Sequence, residues 1–373
     1  MSFEFVWPIY AVFIFLTISG GTEMLIKQEW VKQLAVFSSA IALVILAALR
    51  SLGVGSDDVA YAQMFANIPF FWGCDEFLCG YSYSQFNVEL GFFTLLSMLR
   101  GFGSEPLVLF SVVALASVAL NVRAIRFFSP HVGAAILVYF CHFYLNKELN
   151  AIRLGLASAL LFWAATFVPV RKIGIFMLLV ICAAFVHVSS LLILLPFVIY
   201  QLRPSRSVYA AVALFLLAFT AFFDIQTLFS YLINFGFIGE KINLYINADI
   251  YNYPLPLFSA VNLKNLFFVG LALIFWRKIS SRYEHFELVF CFFFCATFIR
   301  IALGDFAIVA GRSYAAISMF EYVLLPFVFF SLFGKWLGYA LIMLYAGLTL
   351  FLNLTDNAGW TGEAVQFFNF NNL

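Results

Sequence analysis

Apolar stretches almost free of charge recur along nearly the whole of this chain, and they decide its fold class before any motif is weighed. Segments 5–22, 33–49, 105–122, 131–146, 152–169, 173–187, 188–202, 208–223, 259–276, 286–303, 313–332 and 337–353 are apolar. They are close to the length that crosses about 30 Å of hydrocarbon. Lipid offers the backbone no hydrogen-bond partners, so such segments must be helices. The expectation is an all-α, polytopic transmembrane bundle of about twelve spans, forming a single integral membrane domain over residues 1–373. Composition agrees, with 64% hydrophobic and 10% charged residues among 373 and a mean hydropathy of +1.01, far from soluble globular chains. Lys and Arg are scattered at helix ends rather than gathered in a stripe, which excludes a nucleic-acid partner.

Short loops carry the basic residues: Lys27 and Lys32, Arg123 and Arg126, Arg171 and Lys172, Arg203 and Arg206, Arg277, Lys278 and Arg282, and Lys335. The positive-inside rule puts these loops in the cytoplasm. Both termini and the loops 50–104, 224–258 and 304–312 are then predicted outside. The segment Val88 to Leu99 is apolar but too short to span, so it is expected to be a re-entrant or interfacial helix in the outer region. Residues 224–258, with Glu240, Lys241 and Asp249, read as a second outer loop able to act as a lid. The first apolar run lacks a basic start and a cleavage site, and is expected to be a retained span. Cys141, Cys182, Cys291 and Cys295 fall in apolar runs as small hydrophobes. Cys74 and Cys79 share a polar loop, where a local disulfide and two free thiols are both compatible with the spacing.

With this topology the charged residues at or inside spans gather on the outer side: Arg50, Asp57, Asp58, Glu89, Glu148, Arg153, His187, Arg300, Asp305, Arg312 and Glu321. Each costs about 2.5–3.5 kcal/mol at the centre of a span even on the mild insertion scale. So many on one side predict a polar cavity open to that side, although any single arginine can instead snorkel to headgroups. The stretch from Ala48 to Tyr61 sets Arg50, Asp57 and Asp58 around two glycines where an apolar run stops. Arg153 enters a span beside Gly155, Ala157 and Ser158, small residues that let helices close up. Arg300 and Arg312 flank a short loop, and with Arg50 and Arg153 they would form an anion site. His187 closes an apolar run and reads either as a packing residue or as a member of the cavity. The four histidines are dispersed and no metal-ligand spacing occurs, while Asp57-Asp58 suits either a divalent cation or a base and its partner. No Walker loop, dinucleotide fingerprint or serine elbow is present, which argues against ATP-driven transport, redox chemistry and serine hydrolysis.

Several short motifs occur in a fixed order over residues 48–330. They are Arg50-Ser-Leu-Gly-Val-Gly-Ser-Asp57 with Tyr61, Glu89-Leu-Gly-Phe-Phe, Ile152-Arg153-Leu-Gly-Leu-Ala157, Ala184-Phe-Val-His187-Val-Ser-Ser, and Arg312-Ser-Tyr314. In these the chain resembles the EpsG family, the Wzy-like polymerases of bacterial surface polysaccharides. It departs at Asp58, where the family often has an aromatic, and at Leu154, where it often has Gln. The resemblance implies a glycosyltransferase C-like membrane fold at the outer face of a bacterial inner membrane. It implies that oligosaccharide repeats carried on undecaprenyl pyrophosphate are joined into O-antigen, capsule or exopolysaccharide, without a cofactor. The expected chemistry is inverting and metal-independent. Arg50, Arg153, Arg312 and Arg300 would hold the pyrophosphate, Asp57, Glu89 or Asp58 would act as base, His187 would orient a partner, and Tyr61 and Tyr314 would contact substrate. Partners implied are the lipid-linked oligosaccharides, the bilayer, a chain-length regulator and a flippase. Two other readings stay open: a transferase of the same fold using a polyprenyl-phosphate sugar, and a lipid-linked oligosaccharide flippase, against which the lack of an inverted repeat stands.

Overall fold

The structure, a computed structural model, describes residues 3–73, 80–83, 88–222, 254–355 and 367–368. Among these residues every regular element is helical. Cys74 and Cys79, and most of the 224–258 loop with Glu240, Lys241 and Asp249, lie outside the described residues. The chain divides into two compact units, residues 1–191 with 325–373, and residues 192–324.

The first unit opens with α1 (Phe3–Leu25) and α2 (Glu29–Ala48). Both are long and apolar enough to cross a membrane. They are stitched by Ser19, whose Oγ lies 2.7 Å from Ser39 Oγ and donates to the Ala35 carbonyl at 2.9 Å. A short α3 (Asp58–Asn67) and α4 (Leu90–Leu99) follow. Ten residues rise only about 15 Å, so α4 is half the length of a span, as its sequence predicts. Its apolar side chains enter the core instead: Phe92, Phe93 and Leu96 pack with Phe65 of α3, Leu109, Phe110 and Val113 of α5 (Pro106–Phe128), and Ile152. This core is the floor beneath the 49–57 loop.

The next helix, α6 (Val132–Tyr139), begins where the Glu23 carboxylate accepts hydrogen bonds from the amides of Val132 and Gly133 at 3.1 and 2.7 Å. A carboxylate there satisfies donors that a helix start leaves open and complements its dipole. The helix then widens into a π turn, Phe140–Tyr144, and ends at Lys147. The Tyr139 hydroxyl donates to the buried Glu148 at 2.7 Å. From there the chain turns into α7 (Ile152–Ala165), which packs on α5 and on α8 (Ile173–Val186).

In the second unit, α9 (Leu194–Gln201), α10 (Arg206–Phe222), α11 (Ala260–Ile274) and α14 (Ala307–Ile317) pack around α13 (Phe286–Ala302). A short α12 (Trp276–Ser280) precedes α13. Every residue of α13 from Leu288 to Phe298 is buried, including Cys291 and Cys295. The thiol of Cys291 lies 3.6 Å from the Pro196 carbonyl, so these cysteines behave as small packing residues.

The last element, α15 (Glu321–Thr355), holds, from Glu321 on, the expected segment 313–332, whose first residues lie in α14 and the 3-10 turn Ser318–Phe320, and then the expected segment 337–353. Gly334 (φ 72°, ψ −170°) bends it between them. The first of the two starts earlier than its hydropathy suggests, because Phe306 initiates α14 directly after the Gly304 turn. Every expected span coincides with helical structure. Four stretches are long and apolar enough to cross a membrane: Val6–Leu25, Glu29–Ala48, Pro106–Phe128 and Ala307–Thr355. Helices α7 and α8 have 14 residues each, about 21 Å of rise.

Candidate functional site

The site in the first unit is built on the loop between α2 and α3. Arg50 follows the end of α2 and turns its guanidinium back onto the start of α3. Its Nε lies 3.2 and 3.1 Å from the two Asp58 oxygens and its Nη2 lies 2.8 Å from Oδ1. Nη1 donates to the Ala47 carbonyl, and the guanidinium carbon sits 3.9 Å from the centre of the Phe110 ring. Both side chains of the pair are fully buried. Burial pushes the Asp58 carboxyl up from its ordinary range, while Arg50 and the Gly55 amide, 2.9 Å away, pull it down. The sequence assigns Arg50 to pyrophosphate and Asp58 to base chemistry; in the structure the two side chains pair with each other and brace the loop on the core.

The braced loop closes on the turn before α7. A side chain at Gly55 would meet the Leu149 carbonyl at 2.1 Å, so only glycine fits. That contact brings Asn150 within reach: its Oδ1 accepts from Ser56 Oγ and from the Asp57 amide, each at 3.0 Å. Asp57 is thereby held by its backbone. Its carboxylate stays exposed, with Ser56 Oγ 3.4 Å from Oδ1. Two neighbouring acids thus have opposite fates, Asp58 buried in the brace and Asp57 presented at the surface. Asn150 has no place in the expected site, although a primary amide between a buried acid and an apolar span is a signal in itself.

Glu89 precedes α4 and Arg153 lies in the first turn of α7. Arg153 Nη1 donates to Glu89 Oε2 at 2.9 Å, and the Val188 amide donates to Oε1 at 3.1 Å. The approach depends on Gly91, where a β-carbon would sit 2.7 Å from that of Phe185 and 2.8 Å from its carbonyl. Without that side chain, α4 closes on the end of α8, and Glu89 reaches past it. Tyr61, one turn along α3 from Asp57, is buried, packs edge-on against Phe92 at 6.0 Å, and sets its hydroxyl beside Arg153. His187 is half-buried and adjoins Val188. Its Nδ1 accepts from the Ser189 amide at 3.3 Å and lies 2.7 Å from Ser189 Oγ, which puts the proton of the neutral ring on Nε2. Tyr61, Arg153, Glu89 and the His187 turn therefore form one connected group, with Asp57 one turn of α3 from Tyr61.

The remaining expected residues belong to the second unit. Arg300, at the end of α13, donates through Nε to Asn262 Oδ1 at 3.1 Å, and its guanidinium carbon is 5.5 Å from the Tyr314 ring centre. The Tyr314 hydroxyl donates to Glu321 Oε2 at 2.8 Å and lies 3.3 Å from Asn265 Oδ1. Glu321 also accepts from Lys264 Nζ at 2.6 and 2.7 Å. Lys264 is absent from the expected site, yet it is the cation that neutralises a fully buried carboxylate. Arg312 is exposed on α14, one residue after Gly311, whose β-carbon position is 4.0 Å from Arg300 Nη1. Among the described residues no group of three His, Cys, Asp or Glu side chains is placed to hold a metal ion.

Fold and site together define a helical membrane protein that carries acid and arginine side chains on loops and helix ends, set on an aromatic core. The chain belongs to the EpsG family, whose profile matches residues 34–372. It is similar to the amylovoran biosynthesis protein AmsC of Erwinia amylovora, with 24% identity over 283 residues, 73% of this chain and 72% of that protein. No solved structure matches the chain.

Proposed function

We propose that this protein is a polysaccharide polymerase of the bacterial inner membrane, joining oligosaccharide repeats carried on undecaprenyl pyrophosphate at the outer face. The observation that carries the reading is the Arg153–Glu89 pair with the Tyr61 hydroxyl beside it, one turn of α3 from the exposed Asp57 carboxylate. The family and the amylovoran biosynthesis relative support it.

In this reading a hydroxyl of the acceptor sugar attacks the anomeric carbon of the donor chain as its proton passes to Asp57. A new glycosidic bond forms and the bond from anomeric carbon to phosphate oxygen breaks, with inversion. The electron pair leaves on the polyprenyl pyrophosphate, whose charge Arg153 takes up. Glu89 holds Arg153 in place and occupies one of the five donors that a guanidinium carries. His187 orients the same turn, Tyr61 contacts substrate, and Arg50 with Asp58 keeps the loop rigid. Preorganised cations of this kind contribute several kcal/mol where charge develops. A chain-length regulator and a flippase are the expected partners, and both termini lie outside.

Deletion of the gene in its own strain tests this. The polymer ladder is expected to collapse to carrier-linked single repeats, and the wild-type gene restores it. Retention of the ladder, with loss of only a side-branch sugar, would instead support a monosaccharide transferase.

A further inference from the structure

Where α9 ends, α10 begins, and α12 and the start of α13 come alongside, the second unit forms a half-open surface pocket of about 220 Å³. It is lined by Tyr200, Arg203, Pro204, Tyr209, Trp276 and Glu287. Tyr209 is buried, and the Trp276 ring lies 5.9 Å from it at 33°. Arg203 and Glu287, both solvent-exposed, line this pocket from the loop after α9 and from α13, and neither side chain forms a hydrogen bond or ion pair with another described residue. With opposite charges and an aromatic pair on one pocket, the lining is complementary to a ligand carrying both signs. Arg203 also has φ 49°, at the left-handed position just past a helix that usually goes to glycine.

We propose that this pocket is a headgroup site for an aminophospholipid. The phosphoethanolamine ammonium is held by Glu287 and by the ring faces of Trp276 and Tyr209, and the phosphate by Arg203. Trp and Tyr at helix ends sit at headgroup level in membranes, and the basic residues Arg277 and Lys278 adjoin the pocket's Trp276. Leu214 and Phe215, farther along α10, are 70% and 64% exposed, an apolar surface suited to acyl chains. Phosphatidylglycerol has no cation for Glu287. Phosphatidylcholine has a cation but no N–H donor. The site stands apart from the proposed glycosyl transfer and does not depend on it.

The test titrates the purified full-length protein in detergent with short-chain phosphatidylethanolamine, phosphatidylglycerol, phosphatidylcholine and free O-phosphoethanolamine, reading bound species by native mass spectrometry and melting temperature. Phosphatidylethanolamine is expected to bind roughly tenfold more tightly than phosphatidylglycerol, the factor that one charge-assisted hydrogen bond supplies. Glu287→Gln is expected to abolish that preference and Arg203→Gln to weaken phosphatidylethanolamine binding, while Glu284→Gln changes neither. Equal binding of the two lipids, or a preference that survives Glu287→Gln, overturns the proposal. Free O-phosphoethanolamine binding as tightly as the lipid overturns its lipid source. If Glu287→Gln does not fold, the wild-type ratio between the two lipids decides.

Discussion

Arg153→Ala is expected to lower polymerisation by about 100- to 1000-fold, the loss seen when one preorganised donor to a developing negative charge is removed. The substitution does more than delete a cation. It leaves Glu89 held by the Val188 amide with no counter-charge in the pair, and it takes away the group beside which the Tyr61 hydroxyl is set. Arg153→Lys separates charge from geometry. A lysine restores a point charge but not the planar fork that spans Glu89 and a phosphate, so recovery should be partial, about tenfold above alanine on the scale of one charge-assisted hydrogen bond. Membrane abundance of both variants, followed by an epitope tag, is expected to match wild type, because Arg153 is partly exposed, with 21% of its side chain accessible. Polymer of wild-type length and yield from Arg153→Ala, at equal abundance, would remove this residue from the mechanism.

Asp58→Ala should instead act on the fold. It strands the Arg50 guanidinium in a fully buried place under Phe110, and breaking one side of such a pair costs about 3–5 kcal/mol. That is a large part of a typical folding free energy. The expected outcome is a lowered melting temperature in detergent and a sharp fall in membrane abundance. Replacing both partners with apolar residues of similar volume, Arg50→Met with Asp58→Leu, removes the buried charge altogether and should recover much of the stability. Activity is not expected to return with it, because the Gly55 amide would no longer be held by the Asp58 carboxylate, and the Ser56–Asp57 backbone that meets Asn150 would lose its setting. If Asp58→Ala melts like wild type, the pair is not a brace.

The two variants differ in a way the sequence only half discloses. Apolar runs reveal the helices because a membrane restricts what an apolar backbone can be, and the expected segments and the observed helices coincide along the described chain. Charges in apolar surroundings likewise mark Arg50, Asp57, Asp58, Glu89 and Arg153, since each is costly unless used or paired. Partnership is harder to read. Arg50 and Asp58 are eight residues apart, a spacing with no helical meaning, and they meet only because the glycine loop folds back. Glu89 and Arg153 are far apart in sequence and meet because Gly91 lets α4 close on α8. Asn150 and Lys264 were legible as polar residues at the edge of, or within, apolar runs. Charge alone draws the eye to arginines and acids, and a primary amide such as Asn150 is passed over. For Lys264 the partner is what sequence hides, because its carboxylate, Glu321, is 57 residues away.

The most direct measurement uses the purified protein in lipid nanodiscs with undecaprenyl-pyrophosphate-linked repeat units as the sole substrate, followed by mass spectrometry of the lipid-linked products over time. The account predicts a ladder of products, each longer by one repeat, with one equivalent of undecaprenyl pyrophosphate released per bond and loss of the ladder in Arg153→Ala. Repeat units recovered unchanged after incubation with folded protein, or lengthened by a single sugar from a polyprenyl-phosphate donor, would contradict it.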